Sequence, residues 1–330
     1  MIENDFSSRI SALVDQGRQG EALAYARRCA ASQHPDALHM LASWHIIGSA
    51  VPRDLPLARR LLACAATAGH ADAIRTLSAM LANGSGGAVD WPGACALLRR
   101  QEASDLQATR ELQLIDAMAI TLDGDPSVPI IAKPMDAERV VCRFPSLLST
   151  AECDHIVAET RDYLAPAMVF DSATGRQIRN PIRTSDAMVV SPIRESLVLR
   201  AISLRLAAAS ATDVNQGEAT SVMRYRQGQE FKLHLDSLDG TSNQRIKTML
   251  VYLNDDFEGG ETVFPHLDLA VRPSRGDAIL FDNVRDGKKL GITQHAGLAV
   301  SLGEKWLLSK WIRERPFSQW KGPEQALRQN

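Results

Sequence analysis

Along the first third of the chain, apolar positions recur at helical spacing, and the recurrence itself repeats. Ala37, Leu41, Trp44, His45 and Gly48 follow i, i+4, i+7, i+8 and i+11. Ala73, Leu77, Met80, Leu81 and Gly84 repeat that series at an offset of 36 residues, from 37 to 73. At the same offset residues 34–62 overlay 70–98, pairing His34 with His70, Asp36 with Asp72, Asp54 with Asp90, Pro56 with Pro92 and Leu62 with Leu98. A second helix in the unit carries Ala58, Leu61, Leu62, Ala65 and Ala66, matched in an earlier partial copy by Ala22, Tyr25, Ala26, Cys29 and Ala30. Small side chains on such a face let helices approach closely. Asp54 and Asp90, each two before a proline, predict helix N-termini. A fixed period of this length predicts an all-α helical solenoid, in which each unit buries its face against the next.

The pattern fades at Gln101 and Glu102, which stand where Ala65 and Ala66 stand one unit earlier, and this predicts a polar cap. One further helix is expected through Met118, closing a repeat domain over residues 1–118. Residues 119–138 carry three prolines and several turn residues and read as an interdomain linker lying against a domain. Glycine near the end of the first helix, with Ala-Ala-x-x-Gly-His before the next unit, resembles Sel1-like repeats, relatives of the tetratricopeptide (TPR) class. That resemblance covers about residues 15–110 and implies a surface suited to binding peptides or proteins. The plainer expectation is an arm that serves structure alone.

From Arg139 the period changes. Residues 139–144 read as a strand, and Ser149-x-x-Glu152 is a capping-box signature opening a helix to about Leu164. Ser191-Pro192 is expected to start another helix, with Leu197, Ile202, Leu206 and Ala209 on its apolar side. Short strands follow at 220–225, 230–235, 247–253, 262–264, 277–281, 294–296 and 305–312, punctuated by Gly and Asp. Many short strands with such turns predict a double-sheet jelly roll (a double-stranded β-helix) with flanking helices. It should span residues 139–316, leaving 317–330 as a tail.

Composition narrows the picture only a little. A net charge of −2 offers no basic footprint, so no nucleic acid is expected as a partner. No stretch approaches about eighteen consecutive apolar residues, and the start lacks a basic-then-apolar leader. Neither a membrane span nor a secretory signal is therefore expected. Five cysteines, odd in number and without CxxC spacing, argue against a disulfide framework or a structural zinc site. A reducing cytoplasm is the expected setting.

The chemistry gathers in the second half. His234-Leu235-Asp236 is followed by His295 and then by Lys305. Two imidazoles and one carboxylate are the ligand set of a facial triad for non-haem Fe(II). His234 and Asp236, at i and i+2 on a strand end, send their side chains to one face; His295 is expected from a non-adjacent strand opposite in the roll. An HxD triplet is common by chance, so its surroundings carry the weight. Six segments matter: Arg183-Thr184-Ser185; Met223-Arg224-Tyr225 through Gly228-Gln229 to Asp236; Thr248 to Asn254; Gly259-Gly260-Glu261-Thr262-x-Phe264-Pro265; Gly276-Asp277-Ala278; and His295 to Trp306. They stand in the order of the prolyl 4-hydroxylase branch of the 2-oxoglutarate- and Fe(II)-dependent dioxygenases. The chain resembles that family over residues 139–316.

The resemblance implies that His234, Asp236 and His295 bind Fe(II). It implies that Lys305 pairs with the distal carboxylate of 2-oxoglutarate, assisted by Tyr225 and Thr248, and that Arg183 contacts a peptide substrate. Lysine suits a single buried carboxylate as a point charge. With O2 as the other cosubstrate and ascorbate as reductant, oxidative decarboxylation to succinate and CO2 would drive hydroxylation of an unactivated C–H. The substrate implied is a prolyl residue of a peptide or protein, with the helical repeats binding a protein partner. A free amino acid or natural-product precursor is the alternative, and a catalytically silent repeat scaffold is the third reading. One departure is Ala299-Val300, where the family usually has proline before the valine. Trp306 and Trp311 differ in parity and should face opposite sides, with Trp311 on the side of Lys305 and both expected as core. Gly259-Gly260 reads as a structural hairpin turn, and His266 as a loop residue rather than a ligand.

Overall fold

The computed structural model describes residues 5–171 and 176–320. The chain divides into two compact units, Met1–Asp125 with Pro192–Ala201, and Pro126–Ser191 with Ile202–Asn330.

In the helical unit, α1 (Asp5–Asp15), α2 (Gln19–Ala31), α3 (Pro35–Ile47), α4 (Leu55–Thr67), α5 (Ala71–Asn83), α6 (Trp91–Arg99) and α7 (Leu106–Ala117) each pack on the next. The repeat survives at the level of atoms. Asp54 Oδ1 accepts the N–H of Leu57 at 2.9 Å, and Asp90 Oδ1 accepts that of Gly93 at 2.8 Å. Each capping bond contributes roughly 1 kcal/mol. Helices α3 and α5 both stop where Gly48 and Gly84 turn left-handed, at φ 77° and 74°. The register-matched Ala22, Ala58 and Ala94 are all buried. Of the expected polar cap, Gln101 is buried; the further helix expected through Met118 is present as α7, opened by its N-cap Asp105 and ending at its C-cap Met118.

The segment Pro192–Ala201 belongs to this unit although no periodicity assigns it there. Asn83 donates to the Pro192 carbonyl at 2.7 Å, and the buried Glu111 carboxylate accepts the N–H of Leu197 at 2.6 Å. These contacts also correct a boundary. The helix expected to open at Ser191-Pro192 instead makes a turn, and α9 (Leu197–Ser210) starts where Glu111 and the Ser196 hydroxyl supply its acceptors.

The second unit carries two principal antiparallel sheets. The larger has the order Lys133–Pro134, Val141–Phe144, Ala278–Asp282, Arg245–Tyr252, Glu304–Arg313, Ser221–Arg226, Asp186–Val189 and Ala165–Pro166. The end of the expected linker is thus an edge strand of this sheet. The smaller has the order Leu269–Val271, Thr262–Phe264, His295–Gly297 and Phe231–His234. All seven strands expected from Thr220 onward are present, with ends displaced by at most two residues. Tyr225, Tyr252, Phe281 and Leu307 from the larger sheet and Phe264 and Val271 from the smaller share one buried cluster. Each such side chain contributes about 1.5–3 kcal/mol by leaving water. Helix α8 (Thr150–Thr160) opens on the expected capping box, with Ser149 and Glu152 exchanging hydrogen bonds.

Candidate metal and cosubstrate site

The smaller sheet delivers the metal-ligating residues. His295 and His234 are direct cross-strand partners, so His295 comes from the neighbouring strand and not from a non-adjacent one. The chain leaves this sheet after Leu269–Val271, adds Ala278–Asp282 to the larger one, and returns between Thr262–Phe264 and Phe231–His234. Asp236 follows two residues after the strand end. One ligand atom from each of His234, Asp236 and His295 lies within 4.8 Å of the others.

The protonation pattern is set by neighbours. His234 Nδ1 lies 2.7 Å from the Lys232 carbonyl, and His295 Nδ1 lies 3.1 Å from that of Thr293. A carbonyl oxygen only accepts, so each Nδ1 carries the proton and each Nε2 keeps its lone pair. Those Nε2 atoms sit 3.5 and 3.8 Å from the Asp236 oxygens. His234 Nε2 is buried without any hydrogen-bond partner, an orphan that a cation would satisfy. Burial acts to raise the pKa of Asp236. The neighbouring His234 and His295 and the hydrogen bond donated by the Thr248 hydroxyl outweigh it and hold the carboxyl well below the usual range. Burial pushes His295 down to about 4. An anionic Asp236 carboxylate beside a neutral His295 imidazole is the donor state that Fe(II) needs.

The opposite end is made by the larger sheet. Lys305, Leu307, Ser309 and Trp311 alternate along Glu304–Arg313 into one cavity, which also holds Tyr225, Thr262 and the three ligands. Trp306 faces the other way and is buried. Parity therefore holds for both tryptophans, but Trp311 is cavity wall where core was expected. Lys305 is buried; its Nζ donates to the Gly260 carbonyl at 2.7 Å and lies 5.0 Å from the ring centre of Tyr252 and 5.8 Å from that of Tyr225. Burial pushes its pKa down to about 7, with Glu261 pulling it back up. Gly260, at φ +68°, does more than turn a hairpin. A Cβ there would meet Lys305 Cδ at 3.3 Å, so its absence leaves room for the lysine stem.

Tyr225 stands directly across the strands from Lys305. Burial pushes its pKa up to about 12, so its hydroxyl stays protonated. Thr248 is placed differently. Its hydroxyl donates to Asp236 Oδ2 at 2.7 Å and accepts from the Asn283 amide at 2.9 Å. It pairs with Trp311, six residues along the strand from Lys305, which is roughly 20 Å of β-strand. Thr248 thus braces the metal end and does not reach the lysine. Arg183 adjoins two lining residues: its guanidinium donates to Met223 Sδ at 3.8 Å, and its guanidinium carbon is 5.7 Å from the centre of the Phe231 ring, which itself stacks on His234 at 3.6 Å. His266 is turned to Gln294, at 3.2 Å, outside the metal group. Phe231, Asn283, Thr262 and Ser309 were not singled out from sequence. Strand parity from Lys305 was the signal that could have found Ser309; Phe231 has the opposite parity to His234, and the register shift between His295 and Gly297 hides it from that rule.

Comparison with known proteins agrees with this geometry. A match to the 2OG-Fe(II) oxygenase superfamily spans residues 220–313, which contain all three ligands and Lys305. Prolyl 4-hydroxylase 1 of Arabidopsis thaliana is 36% identical over 191 residues, covering 52% of this chain and 68% of that protein. Probable prolyl 4-hydroxylase 7 of the same plant is 30% identical over 200 residues, covering 53% and 63%. Among solved structures, a viral collagen prolyl hydroxylase from Paramecium Bursaria Chlorella virus-1, in complex with 2OG, is 29% identical with a TM-score of 0.44; it covers 53% of this chain and 96% of its own. A Sel1 repeat protein from Oxalobacter formigenes is 32% identical over 30% of this chain and 29% of its own, with a TM-score of 0.28.

Proposed function

This chain belongs to the 2-oxoglutarate- and Fe(II)-dependent oxygenases, in their prolyl 4-hydroxylase-like branch, and we propose that it hydroxylates prolyl residues within a peptide or protein. The observation that carries the substrate is the charge inventory of the cavity. Among the lining residues, the only charged group besides the metal ligands is Lys305. Once Lys305 faces the distal carboxylate of 2-oxoglutarate, none of these groups remains for the ammonium or carboxylate of a free amino acid. A prolyl residue inside a chain is neutral and needs neither, since burying an unpaired charge would be costly.

Fe(II) bound by His234, Asp236 and His295 would supply activation of O2 coupled to decarboxylation of 2-oxoglutarate. The protein's own residues bind, orient and exclude water. Lys305 fixes one end of the cosubstrate as a buried point charge, and the protonated Tyr225 hydroxyl stands opposite it. Phe231 and Trp311 offer aromatic walls on which a pyrrolidine ring packs while the metal ligands lie beside them. Arg183, beside Phe231, is assigned to the peptide.

Liquid chromatography with mass spectrometry tests this, with ascorbate present as reductant. A prolyl peptide should gain one oxygen atom and free proline none; the reverse outcome would favour the small-molecule reading. On the same reading the helical unit engages the protein that carries the proline. A folded protein target should then show a lower KM than its excised prolyl peptide, and equal values would remove that role from the repeats. The five free cysteines support placing the enzyme in a reducing cytoplasm.

A further inference from the structure

We propose that Glu218 and Arg245 form a positioning pair that holds the Trp311 indole in its place in the cavity wall. The inference rests on the prolyl-peptide reading for its kinetic consequence, but its structural content does not depend on it.

Trp311 is half-buried and lines the cavity, and its indole N–H is buried with no acceptor. Nothing hydrogen-bonds the ring in place, so its setting must come from packing and from its charged neighbour. The guanidinium carbon of Arg245 lies 4.2 Å from the ring centre, inside the range of a cation–π contact. Arg245 cannot swing away freely, because Glu218 accepts its Nε at 2.6 Å and its Nη2 at 2.8 Å, a two-point clamp that fixes the plane of the guanidinium. Glu218 is in turn tied to the residue it serves: its backbone N–H donates to the Trp311 carbonyl at 2.8 Å.

Strand register explains why the clamp is needed. The pairing of Arg245–Tyr252 with Glu304–Arg313 shifts after Ile312, and this sets Arg245 directly opposite Arg313. Two cations side by side repel. Glu218 answers both, with Arg313 Nε 2.6 Å from the oxygen that Arg245 Nε also contacts. With the anion removed, Arg245 is pushed from Arg313 and loses the geometry that keeps it flat on the indole. Trp311 pairs across the strands with Thr248, which holds Asp236, so a loosened ring disturbs the cavity wall beside the metal end.

The test uses the full chain labelled with 5-fluorotryptophan, the Trp311 resonance being assigned by its loss in Trp311→Phe. Glu218→Gln removes the charge, and Arg245→Lys keeps the charge but loses the planar fork, so one variant leaves the ion pairs largely intact should the other fail to fold. We expect the fluorine signal of Trp311 to shift or broaden in both, with the other tryptophans unchanged. The KM for a prolyl peptide should rise about ten-fold, the scale of a lost cation–π contact. The KM for 2-oxoglutarate should stay within about two-fold, because Lys305 is untouched. A Trp311 signal identical to wild type in a folded variant overturns the proposal, as does an equal rise of both KM values. If no prolyl peptide is a substrate, the function reading fails while the fluorine signal still decides this one.

Discussion

At the metal end of the cavity every donor is braced by a neighbour, whereas at the lysine end one buried cation faces a wall of aromatic and aliphatic groups. His234 and His295 each spend Nδ1 on a backbone carbonyl, and Asp236 is held by Thr248, itself held by Asn283. Lys305 has Gly260 and two tyrosine rings, and burial has already brought its pKa to about 7. A site for a resident metal keeps its ligands aligned in one protonation state. A site for a cosubstrate that enters and leaves can sit unsatisfied, and the arriving carboxylate supplies the missing charge.

The largest effect expected from this contrast is at the metal end. Asp236→Ala should reduce iron retention and succinate formation by more than about 100-fold, since it removes the only anion among three ligands. Metal analysis after gel filtration, with a succinate assay, would show it. Lys305→Met comes next: the KM for 2-oxoglutarate should rise about 100-fold, the scale of a lost buried charge pair, with iron content unchanged. Equal loss of iron would break the division between the two ends.

Thr248→Val sharpens the division further. Iron affinity should fall about ten-fold, as for other groups that orient a ligand, while the KM for 2-oxoglutarate holds. The opposite pattern would return Thr248 to the cosubstrate. The mildest effect is on pH. The ammonium form of Lys305 binds the carboxylate, so affinity for 2-oxoglutarate should weaken as pH rises above about 7, by at most about ten-fold per pH unit. Stability without cosubstrate runs the other way. The folded pKa lies below the unfolded value of 10.5, so the unfolded chain holds the extra proton between about 7 and 10.5, and stability is lost as pH falls through that window. Thermal midpoints with and without 2-oxoglutarate should therefore diverge most near the lower end of the range.

Legibility in the sequence followed the physics of each feature. The 36-residue repeat was readable because packing a helix on its neighbour constrains every third or fourth side chain, and Asp54 and Asp90 cap where spacing placed them. The ordered family segments pointed to the ligands and Lys305, and strand alternation gave the shared face of His234 and Asp236 and the opposed faces of Trp306 and Trp311. What stayed hidden depends on which strands become neighbours. His295 was expected across the roll and lies beside His234. Thr248 was expected at the lysine and is separated from it by the antiparallel register with Trp311. The capture of Pro192–Ala201 by Asn83 and Glu111 rests on contacts between residues far apart in sequence, which no local pattern announces.

The most direct measurement follows 2-oxoglutarate and a prolyl peptide together in one reaction with Fe(II), for the wild-type chain and for Asp236→Ala. One succinate should appear for each oxygen atom gained by the peptide, and both products should vanish in the variant. Succinate formation that persists in Asp236→Ala, or that proceeds in wild type with no oxygen added to any prolyl peptide, would contradict the account.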